Sequence, residues 1–479
     1  MTEVIKKSTQ GFVFTFLLNV VKALCAVSCS IYTAKILTQN DFGQFTLILL
    51  VTNCLIALSN WSCGIYLIQH KESGESIFFS LFIFQFVNSI VVASLFLFFE
   101  DKVLSLSGFE SLGRFFPIVL FLIFVPPLIN IPRSLLEKEL KFFKGNIPNG
   151  ISILGQTIAT IYLVFSGFGV WSLVYGYIVK VFLEALFLLL LIYKEVKFNF
   201  KMGSLGPAVK FGLPLILSNF MVFFYWNIDY FLIALILNET DLGYYTFAFT
   251  NPHHLLMIGA ALNTVCVPMF SKLYPDLVLL EKSFHSLVLY TAYLMFGFVL
   301  LTNLFGYEII VYIFHEKWLP ALIPFQILMY VAALRIITMF WSPLLQSRGI
   351  TKYQTICSLF NLLGIFLLGY FLLVRFGIVG MSIGVAATMC ISSMLIIPKF
   401  TRIVLKDFSY MKVLFKPILL LVTFSLIGVC IKGPTNYLSC TGFYLYASFT
   451  GVIYILTFVI LEHKSVFQFV NVLTKKGVA

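Results

Sequence analysis

The sequence is poor in charged residues. Asp, Glu, Lys and Arg make up 11% of its 479 residues, whereas 60% of the residues are hydrophobic and 54 are Phe. An average soluble domain is about 25% charged, so this chain lacks much of the polar surface that a protein of its size needs in water. A soluble enzyme, a nucleic-acid-binding protein and a disordered chain are therefore disfavoured, and the composition predicts an integral membrane protein.

Several motifs of catalysis and cofactor binding are also missing. The nine cysteines form no CxxC pair and no spacing typical of zinc sites, which argues against a disulfide framework. The sequence has no GxxxxGKS or GxxxxGKT motif, so we do not expect ATP hydrolysis, and no His/Glu/Asp cluster has metalloenzyme spacing. We therefore predict a protein that is not an enzyme and has no cofactor, and that draws on an ion gradient or on the gradient of its substrate.

Long apolar runs fill most of the chain. A bilayer core of about 30 Å needs about 20 apolar residues per helix. Fourteen segments fit this length, near 11–34, 45–68, 77–99, 115–134, 148–167, 171–193, 211–237, 244–270, 284–307, 319–346, 353–374, 377–398, 414–431 and 443–461. The sequence therefore predicts an all-α polytopic membrane protein with about 14 transmembrane helices.

The basic residues are distributed unevenly between the two sides of these segments. If the N-terminus is cytoplasmic, the cytoplasmic segments contain about four times as many Lys and Arg residues as the segments on the opposite side. This bias predicts that both termini are cytoplasmic. It also accounts for the net charge of +12 as a consequence of topology, so no nucleic-acid partner is expected.

The chain contains an internal repeat. Ala34–Thr46 reads AKILTQNDFGQFT and Ala234–Thr246 reads ALILNETDLGYYT, with six identities at an offset of 200. Phe168–Val170 parallels Phe376–Ile378 at an offset of 208. A D-x-G-aromatic sequence could simply suit a turn between helices. Both matches, however, pair span n with span n+6, as in transporters built from two parallel repeats.

The repeat predicts the domain organisation. Residues 1–193 form an N-terminal six-helix lobe, 194–210 a cytoplasmic linker, and 211–400 a C-terminal six-helix lobe. Residues 401–479 add two transmembrane helices and a cytoplasmic tail.

A few ionisable residues lie in the middle of predicted spans. Each costs about 2.5–3.5 kcal/mol on insertion scales, and polar neighbours on the same helix face indicate that the face lines a cavity. The predicted substrate-binding residues are Asn19, Lys22, Lys180, Asn219, Asn227, Arg335, Ser342 and Gln346. Asp229 and Glu184 are the candidates for ion coupling.

Alternative roles exist for these charges. Lys180 and Glu184 are spaced i, i+4 and could simply neutralise each other. Lys22 and Arg335 have no such neighbour on their own helices. Either they pair with Asp229 across the bundle, or they face water and bind an anionic substrate, for which the planar fork of Arg suits phosphate.

Six segments together carry a family resemblance. They are TAKILTQNDFGQFTLILL (33–50), IYLIQHKE (65–72), PRSLLEKELKFFK (132–144), KFGLPLILSNFMVFFYWNIDYFLIALILNETDLGYYTFAF (210–249), VPMFSKLYPD (267–276) and EKWLPALIPFQILMYVAALRIITMFWSPLLQSRGITK (316–352). In order and spacing they resemble the Wzx-type polysaccharide flippases of the multidrug/oligosaccharidyl-lipid/polysaccharide (MOP) superfamily.

The resemblance implies a fold and an activity. The expected fold has two six-helix lobes around a V-shaped cavity, with the C-terminal pair similar to the extra helices of fourteen-span members. The expected activity is translocation of undecaprenyl-pyrophosphate-linked oligosaccharide repeat units across the bacterial cytoplasmic membrane, for O-antigen, capsule or exopolysaccharide. The seventh-span Asn227 and Asp229 would lie beside the cavity, and coupling to H⁺ or Na⁺ is expected.

The resemblance also implies partners and competing functions. The partners would be the lipid-linked oligosaccharide, membrane lipids, a polysaccharide polymerase and a chain-length regulator. The chain has few intramembrane Arg residues, so the substrate would be neutral or weakly acidic beyond its pyrophosphate. Three alternatives are a drug/cation antiporter, which would favour acidic cavity residues, a lipid-linked peptidoglycan-precursor flippase, which usually carries more arginines, and a membrane-embedded glycan polymerase or ligase, which needs a large extracytoplasmic loop.

Overall fold

The computed structural model describes residues 18, 21–70, 74–105, 110–139, 141–194, 196, 200–432 and 439–462. These residues form helices joined by short turns, and no strand occurs among them. The α-helices up to the middle of the chain are α1 (21–36), α2 (Gln39–Ser59), α3 (Cys63–Gln69), α4 (Gly74–Phe98), α5 (Glu100–Leu104), α6 (Phe116–Leu122), α7 (Ile131–Lys138), α8 (Phe142–Phe165), α9 (Val170–Ile192) and α10 (Leu205–Ile236).

The second half continues the same helical pattern. Its α-helices are α11 (Glu239–His253), α12 (Leu256–Leu273), α13 (Leu277–Glu308), α14 (Leu322–Thr338), α15 (Trp341–Gln346), α16 (Lys352–Gly364), α17 (Tyr370–Ile391), α18 (Ile397–Thr401), α19 (Tyr410–Lys432) and α20 (Cys440–Leu461). Short 3-10 and π-helical turns join several of them, such as the π-helical turn Ile365–Gly369 between α16 and α17. The prediction of an all-α polytopic membrane protein is confirmed.

Eleven helical stretches among the described residues are long and apolar enough to cross a membrane. One of them, Lys352–Thr401, is 50 residues long and covers two of the predicted segments. The segment predicted at 244–270 is divided between α11 and α12 instead of forming one helix. The first predicted segment begins outside the described residues, and α1 contains its second half.

The first repeat match has a direct structural counterpart. α2 begins at a capping box in which the Thr38 side chain accepts from the backbone N–H of Asp41, while the Asp41 carboxylate accepts from the backbone N–H of Thr38. α11 begins in the same way, because the Asn238 side chain accepts from the backbone N–H of Asp241. Side chains of this kind satisfy N–H groups that the first turn of a helix leaves without a partner.

The two repeat-related helices cross each other at equivalent residues. The hydroxyl groups of Thr46 and Thr246 share a hydrogen bond of 2.9 Å. A Cβ on Gly43 would overlap the backbone oxygen of Glu239, and a Cβ on Gly243 would overlap the backbone oxygen of Gln39. The α2–α11 crossing therefore has local two-fold character, and glycine is required where the two backbones approach most closely.

The second repeat match also corresponds in backbone conformation. Gly169 has φ +56° and ψ −137°, and Gly377 has φ +58° and ψ −143°, a region that residues with a Cβ rarely adopt. Seven residues after each of these glycines, a second glycine packs closely against the preceding segment. Gly176 of α9 packs against Thr160 of α8, and Gly384 of α17 packs against Gly369 at the end of the π-helical turn. Both sequence matches therefore correspond to the same local backbone structure, and the arrangement of two parallel six-helix repeats stays a prediction.

The helices form two compact units. One comprises the described residues of Met1–Ala261 and Ser358–Gly384, and it contains the α2–α11 crossing. The other comprises the described residues of Leu262–Cys357 and Val385–Ala479. The boundaries near residues 193, 210 and 400, which the sequence predicts for the lobes, stay a prediction.

In the second unit, the C-terminal pair of helices packs on α13. The Tyr454 hydroxyl on α20 donates to the backbone oxygen of Tyr293 at 2.9 Å, and Lys416 on α19 forms an ion pair of 3.0 Å with Glu462. Gly428 on α19 lies against Leu304 of α13. These contacts join α19 and α20 to the rest of the unit through both polar and apolar groups.

Candidate functional site

A buried carboxylate on α9 lies at the centre of a charged region within the apolar helices. The Glu184 side chain is 5% exposed and forms an ion pair with Arg133 of α7. Its Oε1 atom also accepts a hydrogen bond of 3.0 Å from the Asn149 side chain of α8. Three helices therefore supply polar groups to one point. A buried carboxylate needs such partners, because burying an uncompensated charge is costly.

Apolar packing explains why Glu184 is buried. Val181 and Ala185, its neighbours on α9, belong to a core cluster of buried residues that also contains Leu135 and Leu136 of α7. This core holds α7 against α9, so that the Arg133 side chain reaches Glu184. The ion pair thus sits at the edge of an apolar core.

Lys180 lies one helical turn before Glu184. Its ammonium group stands 5.3 Å from the centre of the Tyr177 ring, a cation–π distance. The charges of both Glu184 and Arg133 act on it. Lys180 and Glu184 are therefore electrostatic neighbours, as their spacing predicts, but the hydrogen bonds of the carboxylate go to Arg133 and Asn149.

Lys22 of α1 completes the group. The charges of Arg133, Glu184 and Lys180 all act on its ammonium group. We call Lys22, Arg133, Lys180 and Glu184 the cation cluster. A further carboxylate, Glu137, lies within electrostatic range of Arg133 on the same helix. With three cations and two carboxylates the region keeps a positive balance, which suits an anionic ligand.

Most of the cation cluster lies within the membrane-spanning part of the fold. Arg133, Lys180 and Glu184 fall in helical stretches long enough and apolar enough to cross a bilayer. At such positions charges are expensive and interact strongly, because little water screens them. A ligand phosphate placed there would meet both a guanidinium and ammonium groups.

Sequence reasoning misses two members of this region, Arg133 and Asn149. The charge count assigns Arg133 to a cytoplasmic segment, because it lies at the very end of a predicted span. In the structure its guanidinium turns to Glu184. The one available signal is that a Glu within the membrane needs a cationic partner. The i, i+4 spacing instead indicates Lys180 as that partner.

The predicted residues on α10 serve contacts within the first unit. The Asn219 side chain donates to the Ser62 hydroxyl at 3.2 Å and to the backbone oxygen of Asn60 at 3.4 Å. The Asn227 side chain donates to the backbone oxygen of Phe223 on its own helix at 2.8 Å. Asp229 is 4% exposed and accepts a hydrogen bond of 2.8 Å from the Tyr245 hydroxyl of α11. The structure does not place these three side chains among the groups described for the cation cluster.

The predicted residues of the tenth span lie in the second unit. Arg335 is half-buried near the end of α14. The Ser342 hydroxyl of α15 accepts from the side chains of Gln346 at 3.3 Å and Gln354 at 2.6 Å. Ser342 and Gln346 are thus neighbours, as their spacing predicts, whereas sequence reasoning misses Gln354. Asn19 lies outside the described residues.

The described residues contain no group of three or more His, Cys, Asp and Glu side chains that could hold a metal ion. The chemistry available in the cation cluster is therefore that of ammonium, guanidinium, amide and carboxylate groups. These groups can bind an anion and exchange ion-pair partners.

Comparison with known proteins identifies the family. A sequence profile of the family described as "Polysaccharide biosynthesis protein" matches residues 33–323, more than half of the chain. The chain belongs to this polysaccharide biosynthesis family. Three of the four residues of the cation cluster fall inside the matched region, and Lys22 precedes it.

One curated relative is the lipopolysaccharide biosynthesis protein WzxC of Escherichia coli (strain K12). It is 24% identical over 309 residues, which are 63% of this chain and 62% of the relative. The match therefore spans less than two thirds of the length of WzxC. The resemblance to Wzx-type proteins that the sequence motifs carry is confirmed at the level of the family.

Two solved structures show the fold that this member of the polysaccharide biosynthesis family shares. The lipid II flippase MurJ, in an inward closed conformation, superposes with a TM-score of 0.74 at 15% identity, over 95% of this chain and 100% of that one. An inward-facing multidrug resistance MATE transporter of the MOP superfamily gives a TM-score of 0.62 at 15% identity, over 81% of this chain and 96% of that one. The predicted MOP-flippase-like fold is confirmed.

Proposed function

We propose that this protein flips undecaprenyl-pyrophosphate-linked oligosaccharide repeat units across the bacterial inner membrane by alternating access, for surface polysaccharide synthesis. The observation that carries the proposal is the cation cluster. Membership of the polysaccharide biosynthesis family supports the substrate class, and the MOP fold supports a transporter.

The chemistry of the cluster suits a diphosphate. The substrate would carry its negative charge next to the lipid chain, and Arg133 can present two parallel N–H groups to phosphate oxygens. Lys22 and Lys180 add point charges. A bound diphosphate would compete with Glu184 for Arg133, so that binding exchanges one anionic partner for another instead of leaving a charge uncompensated.

The remaining predicted features belong to the same proposal. Both termini are cytoplasmic, the six-helix lobes 1–193 and 211–400 move against each other, and Arg335, Ser342 and Gln346 contribute polar groups along the transport path. Glu184 and Asp229 are the candidates for coupling to H⁺ or Na⁺. A polysaccharide polymerase and a chain-length regulator are the expected partners.

The competing functions fit the charges less well. A drug/cation antiporter would be served by carboxylates in excess, whereas the cation cluster keeps a positive balance. A peptidoglycan-precursor flippase usually carries more arginines. A glycan polymerase or ligase would need polar catalytic groups on a large loop, and between predicted spans the loops are short.

The location of lipid-linked repeat units in cells that lack the protein tests the proposal. We expect the units to accumulate on the cytoplasmic leaflet, where added glycosidases or lectins reach them only after the membrane is opened. The wild-type gene should restore export. Single units accumulating on the outer leaflet would point to a polymerase defect and would refute the proposal.

A further inference from the structure

A cavity of about 210 Å³ lies between α1 and α8. Its walls come from one face of each helix, because the residues that line it are spaced by three or four positions. They include Val21 and Lys22 on α1, Leu18 shortly before it, and Gly150, Ile151 and Leu154 on α8. We call this cavity the α1–α8 groove.

The groove is apolar apart from one charge. Among the described residues that line it, Lys22 carries the one basic side chain. Gly150 allows the two helices to approach, since a Cβ there would lie 2.6 Å from Leu18 Cδ1. Val21 is 43% exposed and Leu154 is 44% exposed, so both walls of the groove are open at the surface of the protein.

Lys22 connects the groove to the cation cluster. Its side chain lines the groove, and the charges of Arg133, Lys180 and Glu184 act on it. An amphiphile with an anionic head and an apolar chain would therefore find both of its halves matched at this point. A water-soluble anion would use only the cluster, and a neutral lipid would gain nothing from the charges.

We propose that the α1–α8 groove seats the first isoprene units of the polyprenyl carrier while the adjoining diphosphate contacts Lys22. This inference rests on the proposed function and names the subsite for the lipid part of the substrate. The substrate would enter the cluster from the bilayer between α1 and α8, and most of its chain would stay in lipid.

The dimensions and charge favour this occupant. The volume is below the roughly 300–1,000 Å³ of pockets that bury a whole drug-sized ligand, so the groove holds only a short length of chain. Its walls are one helix face wide, which suits a single chain better than the paired chains of a phospholipid. The net positive charge beside it favours a diphosphate over the single phosphodiester of a phospholipid.

Filling the groove tests the inference. Leu154→Trp adds bulk inside it, and Ile158→Trp is the matched control, one turn along α8 on a side chain that is 69% exposed and does not line the groove. The purified full-length variants, in nanodiscs, are titrated with undecaprenyl phosphate and separately with inorganic pyrophosphate. We expect Leu154→Trp to weaken undecaprenyl phosphate binding about tenfold, since displaced apolar contacts are each worth a sizeable fraction of 1.4 kcal/mol.

The other measurements define the expected pattern. Pyrophosphate binding should be unchanged in both tryptophan variants and weaker in Lys22→Met. Ile158→Trp should bind undecaprenyl phosphate as the wild type does. Ile151→Phe, a smaller addition in the same wall, provides a second variant in case Leu154→Trp accumulates poorly.

Two results would overturn the inference. One is undecaprenyl phosphate binding that neither groove variant affects. The other is competition by phosphatidylglycerol that is as strong as competition by undecaprenyl phosphate, because the occupant would then be a phospholipid. Either result leaves the proposed function standing if Lys22→Met still lowers pyrophosphate binding. A wild-type protein that binds neither probe would count against both.

Discussion

The α2–α11 crossing and the cation cluster lie in the same unit, but they relate differently to the internal repeat. At the crossing, Gly43 and Thr46 recur as Gly243 and Thr246, and the equivalent residues touch each other. In the cluster, the positions that correspond to Lys22, Lys180 and Glu184 are Val222, Thr388 and Ser392. The residues that hold the fold are thus repeated, whereas the charges of Lys22, Lys180 and Glu184 occur in one half.

This difference separates two kinds of constraint. A close backbone crossing can be met by the same small residues in both repeats, because each helix presents the same surface to the other. A binding site for one diphosphate needs only one set of positive charges, so these charges need not recur in the second repeat. A second set of intramembrane cations would add cost without a second ligand. Substitutions at the two places should therefore fail in different ways.

Breaking the ion pair should give the largest effect. Arg133→Ala leaves the Glu184 carboxylate buried with Asn149 as its remaining described hydrogen-bond donor, and losing one partner of a buried pair costs about 3–5 kcal/mol. We expect strongly reduced protein in the membrane and no surface polysaccharide. The quantities to measure are membrane abundance by immunoblot and polysaccharide by gel.

The double variant Arg133→Ala/Glu184→Ala separates stability from function. Since it removes both charges, we expect it to recover membrane abundance but not export. Normal polysaccharide output from the double variant would show that Arg133 serves the fold alone, and it would remove the contrast between the cluster and the crossing.

Removing a cluster lysine should affect export more than stability. Lys180→Met keeps a long side chain over Tyr177 but loses a charge-assisted hydrogen bond to phosphate, worth about 1.5–3 kcal/mol, or roughly 10- to 150-fold in affinity. We expect normal abundance and a large loss of surface polysaccharide. Lys406→Met, at an exposed lysine outside the cluster, is the control and should export normally. Equal export by both variants would argue against a role for Lys180 in binding.

The crossing should show the opposite behaviour. Gly43→Ala forces a methyl group onto the backbone of Glu239, and overpacking of this kind costs about 1–3 kcal/mol. We expect a lower melting temperature in detergent, with export falling only in proportion to abundance. Gly451→Ala on α20, where an added Cβ meets no atom within 4 Å, is the control and should not lower the melting temperature. Equal melting temperatures for Gly43→Ala and the wild type would mean that α2 and α11 separate easily at the crossing.

The smallest effect is expected for the shared hydrogen bond of the crossing. Thr46→Val and Thr246→Val each remove one hydroxyl, and such a bond contributes about 0.5–1.5 kcal/mol. Because the two residues bond to each other, the double variant should lose less stability than the sum of the single variants. A fully additive result in thermal melts would contradict the pairing.

The sequence predicts the repeat and the helical architecture well, because both depend on local patterns. Apolar runs define helices, and glycines at positive φ, such as Gly169 and Gly377, define the same turn twice. Long-range partners are harder to predict. Arg133 and Glu184 are 51 residues apart, and only the packing of α7 on α9 brings them together.

The same limit explains the other differences. The spacing of Lys180 and Glu184 predicts their proximity, but it contains no information about Asn149 on a neighbouring helix. The pattern on α10 marks Asn219 and Asp229 as polar residues in an apolar helix. It does not distinguish a cavity-lining side chain from one that bonds an adjacent helix, as Asp229 bonds Tyr245.

The most direct test of the central claim is the flipping of a polyprenyl-diphosphate-linked oligosaccharide by purified protein in proteoliposomes. The comparison is between the wild type and Lys22→Met/Lys180→Met, which loses two cations of the cluster and keeps the Arg133–Glu184 pair. If the cation cluster binds the diphosphate, the wild type should move the substrate, and the double variant should retain less than about a tenth of that rate. Equal rates for the two proteins, at equal amounts of folded protein, would contradict the account.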